Sequence, residues 1–203
     1  MAGALSRHWR WFAIALAICA AAAVPLLLFE PWLSGLFLFL LLSIPTNSLL
    51  PIPHEPGLLY FARFYAPPLV TAAGLVGAGI ACATDYALVE AALRHPRIQR
   101  ARDGRLGRFA VKSFNKQPFW TIVLFSAAPL PSYVVRVLAP AAGYPFSRYL
   151  AATLAGRLPA FWIEAEIGSA LAIPAWLLVA MLALMIGGAL LVTRRAPPPA
   201  AEF

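Results

Sequence analysis

Four ionisable side chains stand inside apolar stretches of the sequence, where an unpaired charge is costly. Glu55, Asp85 and Glu164 are carboxylates, and Arg136 is a guanidinium within the largely apolar segment 119–142. In a low dielectric a carboxylate pairs with a cation or takes up a proton. The three acids are therefore candidates for ion pairing or proton transfer. Arg136 offers a planar fork of donors and is a candidate for binding phosphate oxygens.

The overall composition indicates an integral membrane protein. Of the 203 residues, 62% are hydrophobic and 12% are charged, with a mean hydropathy of +0.78, whereas soluble domains have roughly 25% charged residues. The formal net charge of +8 does not favour a nucleic-acid partner, because the basic residues flank apolar runs instead of forming one basic face. We expect membrane lipids as partners and no nucleic acid.

Signatures of enzymes are absent from the sequence. There is no HExxH, GxSxG or Walker pattern, and no nucleophile is set beside a histidine. Cys19 and Cys82 each lie within an apolar run, so neither a disulfide framework nor a cysteine-rich metal site is indicated. We therefore expect no enzymatic activity, no cofactor and no metal.

Two apolar segments are interrupted by prolines, which break helices because they lack an amide donor and clash with the preceding turn. Broken backbone at membrane depth is stable only where protein or a water-filled cavity satisfies its polar groups. We therefore predict two re-entrant segments, 33–56 and 119–142. The residues predicted to form their turns are Pro45, Pro51, Pro53, Pro129 and Pro131.

The remaining apolar stretches predict transmembrane helices. The first, Trp11 to Phe29, resembles a cleavable signal peptide, but its 19 apolar residues would span roughly 28 Å, and we prefer an uncleaved helix. The predicted organisation is an N-terminal transmembrane helix in 1–32, a core over 33–168 with transmembrane helices at 66–90 and 145–168, a last transmembrane helix at 170–192, and a disordered tail at 193–203.

The basic stretch 94–116 sets the predicted topology. By the positive-inside rule it is a cytoplasmic loop, and Arg194 and Arg195 place the C-terminus on the same side. Binding of anionic lipid head groups is a second interpretation of this stretch, although topology alone accounts for it. With the basic N-terminus also cytoplasmic, the two re-entrant segments enter the membrane from opposite sides.

An internal repeat agrees with this topology. A shift of 79 residues superimposes Tyr65 on Tyr144, Gly77 on Gly156 and Asp85 on Glu164. The predicted fold class is an all-α integral membrane protein, in which two re-entrant helical hairpins, each followed by a transmembrane helix, form an inverted repeat with further transmembrane helices at the N- and C-termini. Such repeats place a transport site at their interface near the midplane.

Glu55 and Arg136 are expected to meet at that interface and to form an ion pair. Protonation of Glu55 would then release Arg136 for a phosphate, and loss of pH-dependent transport in Glu55→Gln is the minimal test. The alternative is a fixed ion pair that only holds the two hairpins together. Glu164 and Glu166 lie two residues apart on a helix and face different sides, so we expect only one of them to line the cavity.

The proline-rich segments resemble those of the DedA/VTT family, also called SNARE-associated Golgi proteins. Asn47-Ser-Leu-Leu-Pro-Ile-Pro-His-Glu55 is similar to the family's N-x-x-P-P-I-P-S-E segment, and Pro129 to Gly143 is similar to its proline-rich segment ending in Ala-Gly. The resemblance extends over about Leu33 to Gly168. The chain departs from many bacterial members at Thr46, where they carry an acid, and at Ser126, where they carry an arginine.

The resemblance implies a lipid translocase of the bacterial plasma (inner) membrane, with both termini cytoplasmic. The implied substrate is a phosphate-bearing lipid such as undecaprenyl phosphate or a phospholipid, and Asn47 joins Arg136 as a candidate phosphate ligand. Proton coupling and an oligomeric state are further hypotheses. The alternatives are a proton-coupled transporter of small solutes or cations, using Glu55, Asp85 and Glu164 as carriers, and a non-transporting envelope-assembly protein.

Overall fold

A computed structural model of the chain describes residues 33–49, 53–128 and 132–171, with isolated positions at 174, 176, 177, 180 and 183. Within these residues the structure contains eight helices and no strands, which confirms the predicted all-α class. Several predictions fall outside the described residues: the N-terminal helix of 1–32, most of the helix at 170–192, the tail at 193–203, and Pro51, Pro129 and Pro131.

The eight helices follow one another with short connections. In chain order they are α1 (Ser34–Thr46), α2 (Glu55–Phe61), α3 (Pro67–Ala92), α4 (Pro96–Asp103), α5 (Arg105–Phe114), α6 (Pro118–Ala127), α7 (Tyr133–Ala141) and α8 (Phe146–Ala170).

Two groups of three helices share the same order of lengths. In α1–α2–α3 and in α6–α7–α8, a short apolar helix is followed by a second short helix and then by a long one of 26 or 25 residues. Prolines near the starts of α2, α3 and α6 fit the first turn, where the missing amide is no loss. The first residues of α3 and α8, Pro67 and Phe146, lie 79 positions apart, as in the sequence repeat.

The same close contact recurs in the two groups. A Cβ added to Gly77 of α3 would lie 2.5 Å from Ser43 Cβ and 3.1 Å from the Leu40 carbonyl oxygen of α1. A Cβ added to Gly156 of α8 would lie 2.5 Å from the Val123 carbonyl oxygen and 2.8 Å from Ser126 Cβ of α6. In each group, glycine lets the short apolar helix touch the backbone of the long one.

The second short helix of each group packs on the long helix of the other group. α1 packs on α3 and α6 packs on α8, but α2 packs on α8 and α7 packs on α3, while α3 and α8 pack on each other. Two buried cores result, one around Phe39, Phe61 and Phe161, the other around Ile122 and Tyr149. This exchange of the second short helices brings charged residues of one group against the other.

The stretch 94–116, predicted as a cytoplasmic loop, is mostly helical. It forms α4 and α5, which are separated at Gly104. Pro96 begins α4 in the position where proline is favoured, and basic and apolar residues alternate along α5 with helical spacing. A high density of arginine does not oppose a helix, since arginine is a good helix former, and the cytoplasmic location of this stretch stays a prediction.

Pro45, predicted in the first turn, instead belongs to the last turn of α1. Pro45 has no amide to donate to the Leu41 carbonyl four residues earlier, so one hydrogen bond of this last turn is lost. Asn47 then closes the helix, since its backbone amide and its side-chain amide both donate to the Ser43 carbonyl, at 3.1 and 3.0 Å. Pro53 lies immediately before His54, which is the N-cap residue of α2.

Among the described helices, α3 alone is long and apolar enough to cross a membrane, judged by length and composition. α8 is almost as long but carries Arg148, Arg157, Glu164 and Glu166. α1 and α6 are apolar and shorter, with 13 and 10 residues.

Candidate functional site

The exchanged packing creates two polar clusters. The first, which we call the Asp85 cluster, consists of Asp85 and Cys82 on α3, Arg136 on α7, and Ser48 after α1. The second surrounds a cavity between α2, α6 and α8, described below. Each cluster joins a long helix to the second short helix of the other group.

The Asp85 cluster is closed and almost fully paired. Arg136 Nη1 donates to Asp85 Oδ2 at 2.8 Å, and Ser48 Oγ donates to Asp85 Oδ1 at 2.7 Å, so both carboxylate oxygens are engaged. Arg136 Nη1 also lies 3.9 Å from Cys82 Sγ. The two charged side chains are only 2% and 3% exposed. We call this buried pair a joint, because it links α3 to α7 and because removal of either partner leaves the other charge buried without a counter-ion.

The predicted pairing of Arg136 with Glu55 is therefore wrong: the carboxylate that Arg136 contacts is Asp85. The prediction failed because the exchanged packing places α7 against α3, whereas Glu55 begins α2, which packs on α8. Protonation of Glu55 cannot release Arg136 by the predicted route. In this conformation the Arg136 guanidinium is also covered, so it is closed to a phosphate.

The second cluster lines a cavity of about 240 Å³. His54 and Glu55 lie on it from the start of α2, and Arg157 and Glu164 from α8. We call it the Arg157 cavity, and its full lining is His54, Glu55, Ser126, Ala127, Ala128, Arg157, Ala160 and Glu164.

His54 is the link between the charged groups of the Arg157 cavity. Its Nε2 lies 3.1 Å from Arg157 Nη1 and 3.7 Å from Glu164 Oε2, and its Nδ1 lies 3.7 Å from Glu55 Oε1. Arginine can only donate, so Nε2 accepts from Arg157 and the proton of the neutral ring sits on Nδ1, facing Glu55. A second proton on His54 would break the bond to Arg157 and favour Glu164 instead.

Arg157 is the cation of this cavity, and within the described residues no carboxylate lies within salt-bridge distance of it. The residue is 8% exposed, and its Nε has no acceptor among the described residues. The guanidinium carbon lies 5.5 Å from the centre of the Phe161 ring, within range of a cation–π interaction. A nearly buried guanidinium that keeps unused donors beside a cavity is suited to an anionic oxygen.

Two carboxylates flank this cation without pairing with it. Glu55 Oε2 and Glu164 Oε2 have no hydrogen-bond partner among the described residues. Glu166, two positions after Glu164, is exposed and does not line the cavity. Of the two acids on this helix, Glu164 is therefore the one that faces the cavity. No group of three His, Cys, Asp or Glu side chains in the described part of the chain could hold a metal ion.

The two clusters occupy corresponding positions. Asp85 and Glu164 are related by the 79-residue shift, and each faces a basic residue from the second short helix of the other group, Arg136 or His54. The correspondence ends at Arg157, because the shift relates it to Ala78. The unpaired cation is thus present in one group only.

Neither His54 nor Arg157 was predicted from the sequence as a site residue. Arg157, Phe161 and Glu164 are spaced i, i+4, i+7 and share one helix face, which was a usable signal once Glu164 was a candidate. His54 gave no such signal, because Arg157 and Glu164, its partners on α8, lie more than 100 residues further along the chain. Asn47, predicted as a phosphate ligand, is buried as a cap of α1 and does not line the Arg157 cavity.

Comparison with known proteins identifies a protein family. A family model described as the VTT domain matches residues 52–170, more than half of the chain. No curated protein and no solved structure matches significantly. The matched range begins just before α2 and ends at the last residue of α8, and it contains every residue that lines the Arg157 cavity.

Proposed function

The chain belongs to the VTT domain (DedA) family, whose members are membrane-associated, and from this premise we propose that it translocates a phosphate-bearing lipid across the membrane. The substrate class is phospholipid or polyprenyl phosphate, and the protein acts as a flippase or scramblase without enzymatic chemistry. Its proposed place is the bacterial plasma membrane, as a multi-pass protein with both termini in the cytoplasm.

Arg157 is the observation that carries this proposal. A guanidinium that is nearly buried, yet free of any carboxylate contact among the described residues, lacks the partner that normally offsets its desolvation. A ligand phosphate can take that place through charge-assisted hydrogen bonds. By the resemblance noted in the sequence, many bacterial members of the family carry an arginine where this chain has Ser126, and Ser126 lines the same cavity as Arg157. α8 can thus supply the guanidinium that α6 lacks.

The size of the cavity favours a head group over a whole solute. Pockets that enclose a complete small ligand have volumes of about 300–1,000 Å³, whereas this cavity measures about 240 Å³. A phosphate can enter it while the acyl or prenyl chains remain in the surrounding lipid. Ala127, Ala128 and Ala160 provide an apolar wall of the cavity, which suits the first carbons of such chains.

The charges of the cavity favour coupling between protons and phosphate. With His54 neutral and both glutamates ionised, Arg157, Glu55 and Glu164 sum to one negative charge, which repels an anion. Protonation of His54 and of one glutamate makes the sum positive, so a phosphate binds more tightly after proton uptake. We expect His54 to take up the first proton, since a doubly protonated His54 would lose its hydrogen bond with Arg157 and contact Glu164 instead.

The lengths of the apolar helices support a re-entrant arrangement. α1 and α6 have 13 and 10 residues, or roughly 20 and 15 Å, which is too short for a hydrocarbon core of about 30 Å. We propose that α1–α2 and α6–α7 are two re-entrant hairpins of an inverted repeat and that α3 and α8 cross the membrane. The Arg157 cavity then lies where the two hairpins meet the crossing helices.

A proton-coupled transporter of small solutes or cations is the second candidate. The unpaired oxygens of Glu55 and Glu164 favour it, because two carboxylates with free oxygens at one cavity attract a cation. In that case Arg157 would serve only to hold His54.

Reconstitution into liposomes tests the proposal and separates the two candidates. Fluorescent phospholipid and a polyprenyl phosphate are placed in one leaflet, and their movement is followed by dithionite quenching with wild type, Arg157→Gln and Arg148→Gln. Arg148 lies on the same helix but is exposed, so its variant matches the change in charge. We expect Arg157→Gln to abolish lipid movement, Arg157→Lys to retain part of it, and Arg148→Gln to match wild type.

The opposite pattern contradicts lipid translocation. Unchanged lipid movement in Arg157→Gln would remove the observation on which the proposal depends. Uptake of a cation driven by a proton gradient in liposomes without labelled lipid, lost in Glu164→Gln and retained in Glu166→Gln, would favour the second candidate.

A further inference from the structure

A larger cavity lies away from the charged clusters, between α4, α5 and the end of α7. Its volume is about 600 Å³, and it opens to the surface. Basic and small residues line it: Arg102, Asp103, Arg108, Val111, Lys112, Asn115, Ala141, Ala142 and Gly143. Nothing in the proposed translocation step uses this cavity.

Two of its cations have no acid to offset them. Arg102 Nε contacts Asp103 Oδ1 at 3.0 Å, and Asp103 is the single acid of the lining. Arg108 and Lys112 form no ion pair with any residue that the structure describes. They lie four residues apart on α5, where like charges repel by a few tenths of a kcal/mol. An anion held between them would relieve that repulsion.

The end of α7 does not supply such an anion, although helix carbonyls carry partial negative charge. Gly143 adopts a positive φ of 67°, and the Tyr144 and Gly143 amides donate to the Ala139 and Pro140 carbonyls at 2.9 and 3.0 Å. This is a Schellman closure, which engages the last carbonyls within the helix itself. The positive charge of Arg108 and Lys112 is therefore left for a ligand.

An exposed apolar face on α5 indicates that the anionic ligand belongs to a membrane lipid. Leu106 and Phe109 are 84% and 70% exposed, which is unusual for large apolar side chains one helical turn apart. They lie beside the basic face formed by Arg105, Arg108 and Lys112. A helix with an apolar face next to a basic face is typical of one that lies in the membrane–water interface.

We propose that α5 is an interfacial helix that docks on an anionic membrane surface, with the phosphate of one anionic lipid seated between Arg108 and Lys112. Leu106 and Phe109 enter the acyl-chain boundary, and the cavity receives the head group. The inference rests on the membrane location of the proposed function but not on translocation. Lipid docking here also fixes the height of α7, and through it the Asp85 cluster, relative to the membrane surface.

Lipid binding to the full chain in neutral detergent tests this docking. Short-chain phosphatidylglycerol, short-chain phosphatidylcholine and inorganic phosphate are titrated against the protein at low ionic strength. The wild type should bind phosphatidylglycerol most tightly. Since each basic residue near an anionic surface contributes about 1 kcal/mol, Arg108→Gln/Lys112→Gln should weaken that binding about 30-fold. Leu106→Ser/Phe109→Ser should weaken binding of phosphatidylglycerol and leave binding of inorganic phosphate unchanged.

Matched variants decide the outcome. Arg100→Gln/Lys116→Gln removes the same charge from exposed positions outside the cavity and should change the affinity by no more than about twofold. The charge-conserving exchange Arg108→Lys/Lys112→Arg should retain binding. Equal losses in the two charge-removing variants, equal affinity for phosphatidylcholine, or tighter binding of inorganic phosphate than of lipid would each overturn the proposal. The phosphatidylglycerol titration is repeated in the Arg157→Gln background, where Arg108→Gln/Lys112→Gln should still weaken binding, so failure of translocation and failure of docking can be told apart.

Discussion

The Asp85 cluster and the Arg157 cavity are corresponding regions that handle charge in opposite ways. In the first, Arg136 meets Asp85 at 2.8 Å, both carboxylate oxygens are engaged and both side chains are buried. In the second, Arg157 contacts a histidine, and each of the two nearby glutamates keeps one buried oxygen without a hydrogen-bond partner among the described residues. The charged groups of the first region satisfy one another, whereas those of the second leave donors and acceptors available for a ligand.

That difference indicates where stability and function reside. A buried pair whose partners satisfy each other contributes a fixed joint between α3 and α7, and a ligand has no reason to enter it. A buried cation without a partner costs stability, and proteins keep such costs mainly where function requires them. The comparison therefore assigns the joint to Asp85 and Arg136, and the ligand site to Arg157.

Breaking the joint is expected to give the largest effect on stability. Asp85→Ala leaves Arg136 buried without a partner and should lower the free energy of unfolding by about 3–5 kcal/mol, measured by denaturant titration in detergent. Glu90→Gln on the same helix, which removes a half-exposed acid paired with Arg94 at 3.7 Å, should cost less than about 1 kcal/mol. Equal losses in the two variants would show that the Asp85 pair is not a joint.

Substitution of the glycine at the close helix contact of each group should give the second-largest loss of stability. Gly156→Ala would press a methyl group onto the Val123 carbonyl and should cost about 1–3 kcal/mol. Gly77→Ala should behave similarly, since it meets Ser43 at the equivalent contact. Gly79→Ala is the matched control, because its nearest neighbour would be Leu150 Cδ1 at 3.9 Å, and it should be neutral or stabilise α3 by up to about 1 kcal/mol. A destabilised Gly79→Ala variant would discredit this account.

Removal of the Ser48 hydroxyl from the Asp85 cluster is expected to have an intermediate effect on stability. Ser48→Ala deletes the hydrogen bond to Asp85 Oδ1 and should cost about 1.5 kcal/mol, as expected for a bond to a charged group. In Asp85→Ala the same substitution should cost almost nothing, because its acceptor is gone. A double-mutant cycle of thermal unfolding measures this coupling, and additive losses would show that the contact contributes little.

Arg157→Gln should give the smallest change in stability. Since Arg157 forms no ion pair with any residue that the structure describes, the free energy of unfolding should change by no more than about 1 kcal/mol in either direction. Arg136→Gln, the equivalent substitution in the joint, should be strongly destabilised in the same thermal assay. A comparable loss in both variants would mean that Arg157 is also a joint, and the distinction between the two regions would fail.

The long helices and their repeat could be predicted from the sequence because they depend on local patterns. The stretch 66–90 is apolar, the stretch 145–168 is mostly apolar with four charged residues, and both contain the glycines that close packing requires. The structure has α3 at Pro67–Ala92 and α8 at Phe146–Ala170. The 79-residue shift also related Asp85 to Glu164 before any contact was known.

The partners of the charged residues could not be predicted, since they depend on which short helix packs on which long one. Glu55 and Asp85 were equally plausible partners of Arg136 by composition, and only the exchanged packing of α2 and α7 decides between them. Composition does not single out Arg157 among the four charged residues of the predicted helix at 145–168. The cavity that it lines is a property of three packed helices.

The most direct test compares lipid translocation when each region is removed without loss of the fold. Asp85→Leu/Arg136→Met replaces the whole joint with apolar side chains, a change that is often tolerated in buried ion pairs, and Arg157→Gln removes the cation of the cavity. Rates are measured in liposomes and normalised to folded protein. We predict that the double variant still moves phosphate-bearing lipid while Arg157→Gln does not. Translocation that survives in Arg157→Gln but is lost in the double variant would contradict the account.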